Sequence, residues 1–205
     1  MKPTDALVDE VLTFWFGATG AGFPSPTRID LWFRATPQHD WDVERHFADA
    51  VAAALRGELD LIADTPRGRV ALILLLDQFP RHLFRHTPAA FAGDRAALAL
   101  CLDGCARGDA EALTPAEQLF LHGPLEHAEE LVHQQAAVAT ITAALRRMAP
   151  DDADQWRYFA RFIQMHHDVF VQFGRFPWRN RILGRANTAA ERAYLEHNPP
   201  YFGQW

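Results

Sequence analysis

Cysteine is scarce in this chain, which contains only two, Cys101 and Cys105. Two thiols cannot build the disulfide framework of a small secreted domain, and a CxxxC spacing without further cysteines is not a zinc pattern. The spacing falls in an apparent helix, so we interpret both as small core residues. A regulatory disulfide or a metal pair is the alternative. So few cysteines are also typical of a reducing compartment.

Long apolar runs and an excess of positive charge are missing as well. No apolar run reaches the roughly 18 residues of a membrane span, and the N-terminal segment MKPTDALVDEV has no signal-peptide core. The formal net charge is −6, which disfavours nucleic acid as a partner. We therefore expect a cytoplasmic protein that does not associate with membranes.

The common cofactor and nucleophile motifs are absent too. The chain contains no GxxxxGK[ST] loop, no GxGxxG loop and no GxSxG elbow. Glu130 and His133 have the E-x-x-H spacing of di-iron bundles, but no second copy accompanies them. The sequence therefore predicts no metal and no cofactor, and leaves open whether the protein is an enzyme.

Helical periodicity dominates what is present, and alternating strand patterns are nearly missing. Thr65-Pro66 predicts the start of an apolar helix that Pro80 should end or kink, and Gly123-Pro124 should break another. Further helices are predicted over 94–107 and 152–173, and capping boxes open two more at Thr114-Pro-Ala-Glu117 and Thr188-Ala-Ala-Glu191. We predict eight or nine helices in antiparallel pairs, forming a single all-α domain over residues 1–205.

Ionisable residues interrupt three apolar helix faces. Asp77 and Arg81 continue the stripe of Val70, Ile73 and Leu74. His127 and Gln134 interrupt the line of Leu131, Val138 and Ile141, and His166 or His167 falls on the face of Trp156, Phe159, Ile163 and Phe170. Each alone is most simply a paired core residue. Together they predict an internal polar pocket suited to acid–base chemistry or to recognition of an anionic ligand.

An arginine-rich segment, FGRFPWRNRILGR, follows the last long helix. It carries four arginines, Arg175, Arg179, Arg181 and Arg185, between aromatic rings. Arginine beside aromatic rings can bind phosphate or carboxylate with two hydrogen bonds and can stack on the rings. The alternative is that these arginines cap a helix and pair with acids elsewhere.

Four segments together carry a family resemblance: LTFWFG, RGRVALILLLDQFPRHLF, PLEHAEELVHQQ and HHDVFVQFGRFPWRNRILGR. The chain resembles the bacterial family known as domain of unknown function 924, which implies an all-α, tetratricopeptide-repeat-like fold. The resemblance aligns 77–81 with the family's DQFPR and 174–180 with its GRFPxRN, and matches His127 and His166 to family histidines. His82, His133 and Trp178 depart from the usual family residues. The family implies no established activity.

These observations support two functional hypotheses. The first is a pocket that binds, or turns over, a small anionic molecule. Its candidate catalytic residues are Asp77, His127 and His166, and its candidate binding residues are Gln78, Arg81, Glu130, Arg175, Arg179 and Asn180. The second is a helical-repeat module for a peptide or protein partner, with exposed anchors among Trp15, Trp32, Trp41 and Trp178. A third reading is that the DQFPR and GRFPxRN segments form a purely structural ion-pair network.

Overall fold

The computed structural model describes residues 3–17, 25–148 and 150–197. The helices are α1 (Pro3–Phe16), α2 (Pro26–Phe33), α3 (Pro37–Leu55), α4 (Pro66–Ile73), α5 (Phe79–Leu83), α6 (Asp94–Arg107), α7 (Pro115–His127), α8 (Leu131–Arg147), α9 (Pro150–Phe173) and α10 (Ala189–Glu196). A π-helical turn, Leu74–Gln78, joins α4 and α5 into one continuous rod, so these ranges hold nine helices and no strand. The all-α prediction is confirmed.

Most helix starts follow the predicted signals. Six helices begin at a proline, where the missing N–H is not needed: α1, α2, α3, α4, α7 and α9. The Thr65 side chain caps α4 by accepting from the Gly68 N–H at 3.1 Å. At the start of α7, Thr114 and Glu117 form the predicted reciprocal capping box, and Thr188 and Glu191 do so at α10. Each box satisfies backbone donors that a helix start leaves open.

The chain divides into two compact units, residues 1–124 and 125–205. In the first unit, aromatic rings form much of the core: Trp15 and Phe79 lie 5.4 Å apart, and Phe47 and Phe79 lie 4.9 Å apart between ring centroids. In the second unit, α8 and α9 pack on each other, and Phe170, Phe176 and Trp178 form a buried cluster. The single-domain organisation and the repeat-like array stay predictions.

The sequence predicts that Pro80 ends or kinks its helix, and in the structure Pro80 does not end it. The π turn precedes it, and the Phe79 N–H donates to the Leu74 carbonyl, five residues back. A proline ring inside an α-helix clashes with the carbonyl four residues earlier. The wider π turn relieves that clash, so the rod continues to Leu83. Such π turns occur frequently at functional sites.

Gly93 lies against this rod so closely that a side chain would not fit. A Cβ atom at Gly93 would lie 2.1 Å from the Leu76 carbonyl oxygen, far inside van der Waals contact. Leu76 is also the residue whose carbonyl Pro80, lacking an N–H, cannot bond. The start of α6 therefore packs directly on the backbone of the π turn.

The helix break expected at Gly123-Pro124 occurs later in the chain. Helix α7 runs through Pro124 to His127, and α8 begins only at Leu131. Gly123 has no Cβ to clash with the following proline ring, which permits helical backbone before a proline. As a result, His127 ends α7 and Gln134 lies on α8. The sequence pattern had predicted both residues on one helix.

None of the described helices combines the length and the apolar character needed to cross a membrane.

Candidate functional site

The predicted site residues fall into both units. Asp77, Gln78 and Arg81 belong to the first, and the other six predicted residues belong to the second. Each group is described within its own unit, and the convergence of both groups into one pocket stays a prediction.

In the first unit, Asp77 lies on the π turn and is only 1 % exposed. Its carboxylate is 3.1 Å from the Arg81 guanidinium and accepts a hydrogen bond from the Gln78 amide. Arg81 also donates to the Asp77 carbonyl, lies 3.1 Å from Asp94, and is stacked over Phe91 at 5.6 Å. Asp77 thus pairs with Arg81 across one turn. Its geometry is that of a buried ion-pair network.

A neighbouring polar cluster, formed by Asp40, His82 and Arg85, joins α3 to the C-terminal end of the rod. His82 Nδ1 is 2.8 Å from the Asp40 carboxylate, which Arg85 contacts with two nitrogens. Burial acts to raise the pKa of Asp40, but the hydrogen bonds from His82 and Arg85 outweigh it and hold the pKa at about 2. Burial lowers the pKa of His82, and Asp40 only partly offsets this. In the sequence, His82 stands out only as a departure from the usual family residue.

In the second unit, two predicted histidines come together. The rings of His127, at the end of α7, and His166, on α9, lie 6.0 Å apart and edge to face. His166 is 4 % exposed and also contacts the rings of Phe176 at 5.4 Å and Trp178 at 5.8 Å. Its Nδ1 is 3.0 Å from the Phe162 carbonyl. A carbonyl oxygen only accepts, so Nδ1 carries a proton.

Arg179 and Asn180 lie in the short turn after α9, and Arg179 packs on the Phe176 ring that His166 also contacts. Arg179 is 7 % exposed, and its guanidinium is stacked on the Phe176 ring at 4.8 Å. Asn180 is fully buried and donates to Asn187 at 2.7 Å. Its carbonyl oxygen has no hydrogen-bond partner among the described residues. His166 and Arg179 thus both contact the Phe176 ring, and His127 contacts His166. We call His127, His166, Phe176, Trp178 and Arg179 the histidine–arginine cluster.

Two other arginines of the segment have carboxylate partners. Arg175 forms two hydrogen bonds with Glu191 on α10, and these bonds, chiefly, lower the pKa of Glu191 to about 2. Arg185 likewise bonds Glu129, which also accepts from the Phe176 N–H at 2.8 Å. This is the alternative that the sequence left open, pairing with acids elsewhere, and it holds for Arg175 and Arg185.

Glu129, and not Glu130, therefore reaches the arginine segment. Glu130 is exposed at the start of α8, 3.6 Å from His133. Its predicted role in binding receives no support from this position. The adjacent acids of the AEEL segment could not be told apart from sequence, because the break between α7 and α8 decides which of them faces inward.

Gln134 has a structural explanation. Although it is fully buried, its amide nitrogen donates to the carbonyls of Glu126 and Ala128, each at 2.7 Å, and of Leu125 at 3.4 Å. These carbonyls belong to the end of α7, where a helix leaves its acceptors open. Gln134 therefore closes the C-terminal end of α7.

Neither the cavity in the first unit nor three of the four tryptophans match the predicted pocket and anchors. A cavity of about 720 Å³ in the first unit is lined by α1, the 3₁₀ turn at 60–64 and the start of α4, and none of the predicted site residues line it. Among the four proposed tryptophan anchors, Trp15, Trp32 and Trp178 are buried and only Trp41, at 50 %, is exposed. The prediction that Trp15, Trp32 and Trp178 are exposed anchors is wrong, because these three rings pack in the aromatic cores.

Known proteins similar to this chain support the family resemblance. The family described as bacterial protein of unknown function (DUF924) matches residues 11–199, and the chain belongs to this family. A solved structure of a protein of unknown function from Agrobacterium tumefaciens is similar, with 33 % sequence identity and a TM-score of 0.80. The alignment covers 95 % of this chain and 99 % of that one. No curated protein matches the chain.

Proposed function

We propose that the second unit binds a small molecule bearing a carboxylate or phosphate group at the histidine–arginine cluster. The observation that carries this proposal is a connected set of contacts between three separate segments. His127 on α7 contacts His166 on α9, and His166 and Arg179, in the turn after α9, both contact the Phe176 ring. All three side chains are mostly buried. Hydrophobic packing alone does not call for such residues in one place.

The chemistry of the cluster suits an anionic group. A guanidinium can give two parallel hydrogen bonds to a carboxylate or phosphate, and stacking on Phe176 holds the Arg179 plane in place. His166 presents Nε2 because the Phe162 carbonyl occupies Nδ1. In its protonated form Nε2 donates to an anion, and in its neutral form it accepts a proton. If the ligand is turned over, His166 is therefore the residue that would transfer a proton.

Asp77 is not part of this proposed binding site. Asp77 pairs with Arg81 and accepts from Gln78, and Arg81 also pairs with Asp94. These contacts form a buried ion-pair network. The structural reading fits this part of the DQFPR segment better than the catalytic one. The interaction-module alternative keeps only Trp41 of its four anchors, so the anionic ligand is the better supported of the two functions.

Binding can be tested by isothermal titration calorimetry with inorganic phosphate, sulfate and a panel of small mono- and dicarboxylates. Arg179→Gln and His166→Gln should each weaken binding of the same ligand at least tenfold. Arg181→Gln is the matched control, since Arg181 is an exposed arginine two residues from Arg179. Because a ligand at about 100 times its Kd stabilises the folded protein by roughly 2.7 kcal/mol, a parallel thermal shift reports the same event.

Two results would contradict the proposal. One is binding that Arg179→Gln and Arg181→Gln weaken equally, which would indicate a general surface charge effect. The other is the absence of any binding across the panel by a protein whose urea unfolding is cooperative, with the variants merely less stable. That result would leave the cluster with a structural role.

A further inference from the structure

The first unit carries an open groove at its surface, which is the cavity of about 720 Å³ described above. Val8 of α1, Ile62 of the 3₁₀ turn at 60–64 and Pro66 at the start of α4 line it with apolar atoms. Ile62 is only 6 % exposed, whereas Leu61, which also lines the groove, is 81 % exposed. Ile62 thus anchors the short turn in the core, and Leu61 is left to solvent.

Leu61 is the most exposed of the large apolar side chains in the described part of the chain. A single exposed leucine is ordinary on a protein surface. Leu61, however, extends an apolar lining that Val8 and Pro66 already provide. Exposed apolar surface with a polar rim is a feature of sites that contact another molecule. The groove therefore offers apolar area that a partner can bury.

Three carboxylates lie along the same groove. Asp5 and Asp9 belong to α1, and Asp64 ends the 3₁₀ turn; all three are exposed and line the cavity. Asp5 and Asp9 are four residues apart, so they lie on one face of the helix, one turn apart. Like charges at this spacing destabilise a helix. Packing within the chain does not require this arrangement, and we call the cavity with these three residues the acidic groove.

The positive charges around the acidic groove do not neutralise it. Arg67 is the one cation among the described residues that line it, and its guanidinium lies 3.5 Å from Asp9 and 3.2 Å from Glu117. Glu117 is 2 % exposed, and a buried carboxylate depends most on its partner. Helices α1 and α4 begin close to Asp5 and Asp64, but a helix start carries only about half a positive charge, less than one carboxylate. The acidic groove therefore keeps a net negative charge.

This arrangement suits neither a metal ion nor an enclosed small molecule. Metal ions need several ligands that converge on one point, and no three His, Cys, Asp or Glu side chains among the described residues are grouped closely enough to hold one. Small-molecule sites bury most of their ligand, whereas Leu61 and the three carboxylates are exposed at the groove. Charges spread beside an apolar lining fit a longer occupant that carries more than one cation.

We propose that the acidic groove docks a segment of a partner protein in which an apolar side chain lies between lysine or arginine residues. The apolar side chain covers Leu61 and packs on Val8 and Pro66, while the cations face Asp5 and Asp64. Charge complementarity of this kind accelerates encounter and selects the partner, and the apolar contact supplies the buried area. This site lies in the first unit and takes the opposite charge from the anionic ligand proposed for the second, so the two proposals are tested separately.

The test begins with a selection from a displayed library of random dodecapeptides against the full chain. The protein is immobilised through Cys105, which is exposed and does not line the groove, while Cys101 is buried. The prediction that both cysteines are core residues is therefore wrong for Cys105. Selected peptides should share an apolar residue flanked by lysine or arginine. They should not bind the triple variant Asp5→Asn/Leu61→Ser/Asp64→Asn.

Fluorescence anisotropy with one labelled peptide from the selection then separates the apolar and the charged contributions. Leu61→Ser should weaken binding about fivefold or more, as truncation of an interface anchor does. Leu102→Ser, which changes an exposed leucine on α6, should have no effect. Asp5→Asn/Asp64→Asn should weaken binding about tenfold at low ionic strength and much less at about 0.5 M salt, because salt screens exposed charges.

Glu44→Gln/Asp49→Asn is the control for charge, since it removes two exposed carboxylates of α3 that do not line the groove. Equal weakening by this pair and by the groove pair would overturn the proposal, because it would indicate attraction to the net charge of the chain. A selection that enriches no peptide, or only peptides that lack cations or bind the triple variant equally, would overturn it too. Spermidine that binds as tightly as the peptide and is unaffected by Leu61→Ser would assign the groove to small amines instead. Circular dichroism establishes that each variant folds.

Discussion

Asp77 and Arg81 form a buried ion pair of 3.1 Å across the point where a π turn passes into α5. The two residues are four apart, and Pro80 lies between them. In an ordinary α-helix a proline there would kink the backbone. The π turn keeps the helix continuous and leaves both partners on one face. The local backbone irregularity and the pairing of the buried charges therefore belong to one arrangement.

The first prediction concerns the energy of this pair. Asp77→Asn and Arg81→Gln should each destabilise the protein by about 3–5 kcal/mol, because each leaves the other charge buried without its main partner. The double variant should reveal a coupling energy of roughly 1–3 kcal/mol in urea unfolding. Asp30 and Arg34 form an exposed pair with the same spacing, at 3.4 Å. The same cycle there should give no more than about 0.5 kcal/mol. Equal couplings at the two pairs would refute the assignment.

The second prediction concerns the contact of Gly93 with the π turn. Gly93→Ala should destabilise the protein by about 2–4 kcal/mol, since the new Cβ would lie 2.1 Å from the Leu76 carbonyl oxygen. Gly108 is the comparison, because it has a φ of +75° and open space around it. Gly108→Ala should cost about 1 kcal/mol for conformational reasons, and Gly108→Asn less, since Asn tolerates that conformation. Chemical denaturation distinguishes the steric cost at position 93 from the conformational cost at position 108. Gly93→Asn should be no more stable than Gly93→Ala.

The third prediction is a dependence of stability on pH that arises from His82. Burial lowers the pKa of His82 in the folded protein, so the unfolded chain binds the proton more readily. Stability from this source is complete above about pH 6.5 and is lost as the pH falls, by at most about 1.4 kcal/mol per pH unit. Urea unfolding of His82→Asn at pH 7.5 and 5.0 should show a flatter dependence than the wild type. His46→Asn, which changes an exposed histidine on α3, should leave the slope unchanged.

Asp40 adds a second loss of folding stability, at lower pH than the loss that arises from His82. Its pKa is held at about 2 in the folded protein, against an ordinary value of 3.8. The stability that this carboxylate contributes is therefore present above about pH 3.8 and is lost as the pH falls toward 2. A slope below pH 4 that survives unchanged in Asp40→Asn would show that other carboxylates are responsible.

The fourth prediction tests Gln134 as the residue that closes α7. Gln134→Leu should lower the free energy of unfolding by about 2–4 kcal/mol, because it leaves the carbonyls of Glu126 and Ala128 buried without donors. Gln164→Leu removes an exposed glutamine that bonds Asp168 and should change stability by less than about 0.5 kcal/mol. Thermal unfolding followed by circular dichroism provides the comparison. A cost at Gln134 no larger than at Gln164 would rule out the capping role.

Local signals in the sequence predicted most of the helix boundaries. Thr114 and Thr188 opened helices as capping boxes, and Gly108 and Gly174 closed helices in left-handed conformations. These signals work because cap residues bond within three or four positions, so sequence spacing already specifies the contact. The helix ends that do not occur, at Pro80 and Pro124, come from the opposite situation. At both positions the helix continues through a proline, and whether it does so depends on contacts with neighbouring segments.

The candidate site was predictable only in part, for the same reason. His127 and His166 stood out because they interrupt apolar patterns, and Arg179 because it belongs to an arginine-rich segment between aromatic rings. Which acid pairs with which arginine depends on contacts over long sequence distances, such as Glu129 with Arg185, 56 residues apart. Periodicity in one segment carries no information on such long-range contacts.

Trp178 gives the histidine–arginine cluster an optical signal of its own. Its indole ring lies 5.8 Å from His166 and is almost parallel to Phe176. A protonated imidazole quenches indole fluorescence more strongly than a neutral one, so the emission of Trp178 should follow the charge on His166. With the other five tryptophans replaced by phenylalanine, the remaining emission would reveal when an anion enters and draws a proton onto that ring, without any added label.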